Sequence, residues 1–187
     1  DSPKSGEVAT PYYYKVNLDR YNIQTEITPT HHSVFYRFTY PKSGNKNILL
    51  DMKHNIPQQI VPIVKGQFLG GNISYDESSG LLTGWGEYLG GFGSAEPYKV
   101  FFAIRPDVKL KEVKVTDKGV KALYARLSLP TDAETVHLGV GVSLKSVDNA
   151  CKYLEQEIGK RSFDEVKNLA KAAWNEVFSK IDVRGGT

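Results

Sequence analysis

From Pro11 to about Ser146 apolar and polar residues alternate in short runs, and Gly, Pro, Asn and Asp separate the runs. A period of two marks short β-strands, because successive side chains on a strand point to opposite faces. In YYYKVNL, Tyr12, Tyr14, Val16 and Leu18 share one face. In YNIQTEIT, Tyr21, Ile23, Thr25 and Ile27 face opposite to Asn22, Gln24, Glu26 and Thr28, and Asp19-Arg20 between the runs is short enough for a tight hairpin. Further strands are expected at SVFYRFTY, NILLDM, GQFLGGNISY, GLLTGWGEY, YKVFFAI, KEVKVT, VKALYARLSL and TVHLGVGVSL, with a turn at Asp117-Lys118-Gly119. About ten antiparallel strands cannot leave both faces wet, so two sheets must pack together. The expected fold is mainly β, a large antiparallel two-sheet β-sandwich over residues 1–146.

After Ser146 the period becomes helical. Val147, Ala150, Cys151, Leu154 and Ile158 form a stripe over VDNACKYLEQEI, and Gly159 is placed to end it. Ser162-Phe163-Asp164-Glu165 then reads as a capping box, in which the serine hydroxyl and the glutamate satisfy free amides at a helix start. The helix so opened carries Phe163, Val166, Leu169, Ala170, Ala173, Val177 and Ile181 on one side. Residues 147–187 are therefore expected to be C-terminal linker helices. The polar start DSPKSGEVATP reads as a linker, and the stop in DVRGGT just after a strong helix reads as a cut end. The expectation is a domain from a longer protein.

Composition narrows the function classes. The 187 residues are 40% hydrophobic and 24% charged, enough for one domain with a substantial core. The net charge of +3 comes from 24 basic and 21 acidic residues scattered along the chain, so no basic tract suggests nucleic acid. No apolar run approaches the roughly 20 residues that span a bilayer. The single cysteine, Cys151, excludes an internal disulfide and a multi-cysteine zinc site, and its helical setting reads as a core thiol.

Few stretches offer chemistry. His31 and His32 are neighbours, so on a strand they would point to opposite faces and could not share a metal unless the backbone there were a loop or bulge. The other histidines, His54 and His137, complete no ligand spacing. In the run after them, Arg37 shares a face with Phe35, where stacking explains it. The Gly84–Ser94 stretch, GWGEYLGGFGS, misses both phosphate-loop patterns. Read as a glycine-rich loop, it would present Trp85, Tyr88 and Phe92 to a sugar, or pack those rings back on the sandwich. Trp85 and Tyr88 are the candidate substrate-binding residues. No pair of carboxylates is singled out, no serine nucleophile motif occurs, and no catalytic or metal-ligating residue emerges.

The order of several segments nevertheless resembles a known family. ATPYYYKVNLDRYNIQTEITPTHHSVFYRFTYP, NILLDM, the Gly-Trp segment, YKVFFAI, VHLGVGVSLKSVDNACKYLEQEI and FDEVKNLAKAAWNEVFSKIDVRGGT are together similar to the N-terminal sandwich of glycoside hydrolase family 92. The resemblance implies a galactose-mutarotase-like supersandwich that precedes a catalytic (α/α)₆ barrel outside this chain. It implies a bacterial, secreted, periplasmic or cell-surface enzyme that removes terminal α-linked mannose, α-1,2-linked in the expected case, from mannose-containing glycans. Hydrolysis would be inverting and calcium-dependent, with the ion not bound by this fragment, which would be inactive alone. The family's arginine, glycine and histidine before the aromatic run are replaced here by THHSVFYRF. Two alternatives stand beside this reading: a free-standing carbohydrate-binding or surface module using Trp85, Tyr88 and Phe92, and a mutarotase-type sandwich enzyme using His137. An excised domain should also expose an apolar patch where its barrel docked, and Trp174 is a candidate for that surface.

Overall fold

The computed structural model describes residues 3–54, 66–90, 96–182 and 185. Among them run eleven strands, in chain order β1 (Lys4–Thr10), β2 (Tyr13–Leu18), β3 (Ile23–Pro29), β4 (Ser33–Thr39), β5 (Asn47–Asp51), β6 (Gln67–Asp76), β7 (Leu81–Leu89), β8 (Tyr98–Pro106), β9 (Glu112–Asp117), β10 (Leu123–Ser128) and β11 (Thr135–Ser143). Helix α1 (Val147–Tyr153) runs into a π-helical turn (Leu154–Ile158), and helix α2 (Phe163–Phe178) follows. The large sheet has the order β1-β2-β3-β4-β11-β8-β7-β6 and the small one β5-β10-β9. Every pairing between these strands is antiparallel. The two-sheet sandwich with a C-terminal helical region is thus the observed fold.

The apolar alternation explains which face closes against what. Leu82, Phe102, Ile104, Val136 and Leu138 of the large sheet meet Leu123, Ala125 and Leu127 of β10 in one core. Burial of such side chains contributes about 25 cal/mol per Å² of apolar surface. The opposite face of the large sheet is closed by the helices. There Phe35 of β4 and Ala103 of β8 pack with Ala150, Leu154, Ile158, Phe163 and Val166. This second core needs two glycines of β11 beneath α1 and the π-turn: a Cβ on Gly141 would overlap the Ala150 carbonyl oxygen, and one on Gly139 would come within 2.8 Å of Leu154 Cδ1.

Three local expectations change. Lys4–Thr10 is not a linker but the edge strand β1, laid against β2 with every side chain exposed. Because none of its side chains is buried, it carries no alternation to read. The β2–β3 hairpin turns over Asp19–Asn22 rather than Asp19-Arg20 alone, with Tyr21 N–H donating to Leu18 C=O at 3.0 Å and Asn22 held at φ 49°. Of the two readings of Gly84–Leu89, the glycine-rich loop gives way to the strand expected at GLLTGWGEY: these residues are the body of β7, paired on both sides with β6 and β8. Phe92 lies outside the described residues. The two helix starts agree with the reading: Ser146 caps α1, Ser162 and Glu165 form the reciprocal capping box of α2, and Gly159 ends the π-turn at φ 54°.

Candidate functional site

The helix face of the large sheet is where polar side chains converge. The β3–β4 register sets Glu26 opposite Arg37, and the β4–β11 register sets Arg37 opposite His137, so the three form a row across the sheet. Arg37 grips Glu26 with two parallel bonds, Nε to Oε2 at 2.6 Å and Nη2 to Oε1 at 2.7 Å. Its Nη1 donates to Asp164 Oδ2 of α2 at 3.0 Å, and its guanidinium lies 4.3 Å over the Phe163 ring. The Tyr13 hydroxyl adds a bond to Glu26 Oε1 at 2.6 Å. Arg37 therefore stacks on an aromatic of α2 and not on Phe35, and what it does is hold the helix to the sheet.

Electrostatics agree with this geometry. Glu26 is 5% exposed. Burial works against its charged form, but the bonds from Arg37 and Tyr13 outweigh it and hold the carboxyl below its usual range. Burial and the neighbouring carboxylate push the Tyr13 phenol far up, and the bonds from Glu26 and Asp164 outweigh burial at Arg37 and keep its proton bound. At Asp164 the bonds from Lys167 and Arg37 lower the carboxyl pKa.

The two histidines sit at the other end of this face. His32 Nδ1 is 2.8 Å from Glu157 Oε1, its backbone N–H donates to Glu157 Oε2 at 2.8 Å, and its ring stacks on Tyr153 at 4.0 Å between centroids. Burial of Glu157 is outweighed by bonds from Thr30 and His32, so its carboxyl is also held low. His31 is exposed in the β3–β4 loop beside the α2 groove. The His31-His32 pair therefore begins a loop into a strand, with one ring tying the π-turn down and the other turned outward.

His137 Nδ1 lies 2.7 Å from Asp107 Oδ2, and its backbone N–H donates to Asp107 Oδ1 at 2.8 Å. The pair borders an open cleft of about 600 Å³ lined also by Phe35, Arg37, Arg105 and Phe163. A mutarotase-type site would need a glutamate opposite this histidine, and the side chain found is an aspartate already bonded to it.

The sequence candidates Trp85 and Tyr88 are not brought together. They lie on opposite faces of β7: the Tyr88 ring packs against the sandwich core with Phe68 while its hydroxyl donates to Met52 C=O at 2.8 Å. Trp85 is on the other face, with Lys99 Nζ 4.2 Å from its ring centroid. They form no joint platform for a sugar.

Calcium takes six to eight oxygen ligands, and four carboxylates on this face are already committed to other partners. Glu26, Asp164, Glu155 and Glu157 are each engaged by a cation or a histidine. Among the described residues no group of three or more His, Cys, Asp or Glu side chains could hold a metal ion.

The last feature is apolar. Helix α2 buries only Phe163 and Val166. Beyond them Leu169 is 56% exposed and Val177 and Phe178 each 53%, with Trp174 beside Phe178 at 5.5 Å between rings. Between this flank and the β3–β4 loop runs a groove of about 540 Å³ lined by Pro29, His31, Leu169, Trp174 and Val177. Trp174, the sequence's candidate for such a surface, is 40% exposed, and Ile181, on the expected stripe, lies just beyond the helix and is exposed.

The sandwich's second face is thus clamped to helices, the last of them bare along an apolar flank. The chain matches the Glycosyl hydrolase family 92 N-terminal domain over residues 2–146 and the Glycosyl hydrolase family 92 catalytic domain over 149–187, and it belongs to that family. A family 92 α-mannosidase of Bacteroides thetaiotaomicron superposes with a TM-score of 0.83 at 25% identity over 99% of this chain and 26% of its own. A second from the same organism, a family 92 inverting mannosidase, gives 0.82 at 18% identity over 100% of this chain and 25% of its own, which shows the fold. An uncharacterized secreted glycosidase of Arthroderma benhamiae is 24% identical over 95% of this chain and 26% of its length. The chain thus spans about a quarter of the proteins it matches. Among the described residues no helix is long and apolar enough to cross a membrane.

Proposed function

We propose that this chain is the N-terminal domain of a glycoside hydrolase that removes terminal α-linked mannose, α-1,2-linked in the first instance, from glycans. Its own part is to orient and dock the catalytic domain and to help wall the pocket, with no chemistry of its own. The observation that carries this reading is the apolar flank of α2. The helix lies in the segment matched to the catalytic domain, is anchored to the sandwich by Phe163, Val166 and the Arg37–Asp164 pair, and then leaves Leu169, Trp174, Val177 and Phe178 uncovered. A contiguous patch of large apolar side chains marks a surface that another body covers.

For the parent enzyme we propose inverting hydrolysis, with one carboxylic acid protonating the leaving oxygen and a carboxylate activating water from the opposite face. Both would come from outside this chain, as would the ligands of the calcium proposed for the parent. Its location is proposed to be secreted, periplasmic or cell-surface, in line with the secreted relative.

The test compares two proteins, the 187-residue chain and the same chain continued through a catalytic domain, in release of mannose from α-1,2-mannobiose with calcium or chelator. Turnover is expected only from the longer protein and only with calcium. Turnover by the short chain would overturn the reading. Saturable mannose binding by the short chain without turnover would favour a stand-alone binding module and direct attention to Trp85.

A further inference from the structure

At one end of the small sheet, far along the chain from the helices, the fold buries a cation. Lys46, just before β5, is 3% exposed, and its ammonium donates to Thr131 C=O at 2.8 Å and Ala133 C=O at 2.7 Å. An ammonium carries three N–H donors, so a third remains beyond these two carbonyls. No carboxylate of the described residues forms an ion pair with it. A buried charge without a counter-charge is costly, and a partner that neutralises it is correspondingly favoured.

Beside Lys46 is a cavity of about 240 Å³, lined also by Asn45, Asn47, Lys111, Arg126 and Ser128. Lys111 Nζ reaches only the Thr131 hydroxyl, at 3.4 Å, and Arg126 gives one N–H to Glu112 at 2.7 Å. Three cations are thus gathered against one carboxylate. The volume suits a small ion with a few waters and is too small for an oligosaccharide. An arginine fork and lysine ammoniums are the donors that fit the oxygen edges of a tetrahedral anion.

We infer that this cavity binds a small tetrahedral oxyanion, phosphate or sulfate. Lys46, Lys111 and Arg126 supply the charge, and the side-chain amides of Asn45 and Asn47 supply neutral N–H donors, the Ser128 hydroxyl being given to Asn47 Oδ1 at 3.1 Å. The site belongs to the small sheet and is independent of the proposed catalytic role.

The test is calorimetric titration of the chain with inorganic phosphate and with sulfate at constant ionic strength set by sodium chloride, with glucose 6-phosphate as a parallel arm. Saturable one-to-one binding is expected, weakened at least tenfold by Arg126→Gln and by Lys111→Gln and lost in Lys46→Met. Both Arg126 and Lys111 are exposed, so their variants keep the fold and decide the matter if Lys46→Met does not fold. Binding of the free ions alone identifies a free-anion site, and binding of the ester as well identifies a site for phosphorylated molecules. Heats that never saturate, or binding unchanged in both exposed variants, would overturn the inference.

Discussion

The two faces of the eight-stranded sheet are closed in different ways. The face toward the small sheet is shut by aliphatic and aromatic side chains such as Leu82, Leu127 and Val136, each 0% exposed. The face toward the helices has a smaller apolar cluster and is tied by the Arg37–Glu26–Asp164 and His32–Glu157 contacts. Apolar burial has no preferred direction, whereas bidentate and hydrogen-bonded pairs hold only one geometry. The first face therefore provides stability, and the second fixes the angle at which α2 leaves the sandwich. For the proposed docking of a catalytic domain on α2, that angle is the functional quantity.

The largest effect should come from the apolar face. Leu127→Ala is expected to cost about 3–4 kcal/mol, read from denaturant midpoints, because the cavity adds to the lost transfer energy. Arg37→Ala should cost about 3 kcal/mol, since it leaves Glu26 buried and unpaired. The paired change Arg37→Met with Glu26→Leu should recover most of that loss while loosening α2, seen as faster amide exchange in the helix. Recovery without faster exchange would break the comparison, because the ion pair would then add no geometry.

Acid should separate the faces next. Folding holds the Glu26, Glu157 and Asp164 carboxyls below their ordinary values, so the unfolded chain takes up protons first. Their contribution is complete above the ordinary carboxylate value of about 4.3 and fades as pH falls through the lower folded values. Thermal midpoints measured downward from pH 6 should drop less in the Arg37→Met, Glu26→Leu variant than in the parent chain.

Ser162→Ala removes the α2 cap and should cost about 1 kcal/mol. Smallest of all, Leu169→Ser with Val177→Ser should change the stability of the chain alone by no more than about 0.5 kcal/mol, because both side chains are already in water. The same pair placed in a protein continued through its catalytic domain should cost far more, and equal small effects in both settings would remove α2 as the docking surface.

Much of this was legible residue by residue. Ten of the eleven strands among the described residues coincide with runs read from the sequence, most by period-two alternation, since burial of one face against a core imposes it, although β8 buries both faces. The capping box at Ser162 is a local chemical device and needs nothing distant to be read. Glu26 was legible in principle, because a β3–β4 register that pairs Pro29 with Val34 sets it opposite the oppositely charged Arg37, yet its place among polar alternates concealed that this face is covered by helices. β1 left no trace because none of its side chains is buried: backbone pairing with β2 and exposed polar contacts such as that of the Tyr14 hydroxyl with Glu7 hold it. Trp85 and Tyr88 fell both in an expected strand and in a possible glycine-rich loop, and the glycines in fact serve close packing within the strand: a Cβ on Gly84 would overlap the Asn72 carbonyl.

By itself, then, the amino-acid sequence determined ten of the strands, the helix starts and the family, because these depend on local period, caps and segment order. Only the tertiary structure decided that β11 inserts between β4 and β8, that Arg37 joins Glu26 to α2, that Lys46 is buried without a carboxylate partner among the described residues, and that α2 leaves Leu169, Val177 and Phe178 exposed. Each of these depends on which surfaces meet across long stretches of chain, and side chains distant in sequence reveal their partners only when the sheets have closed.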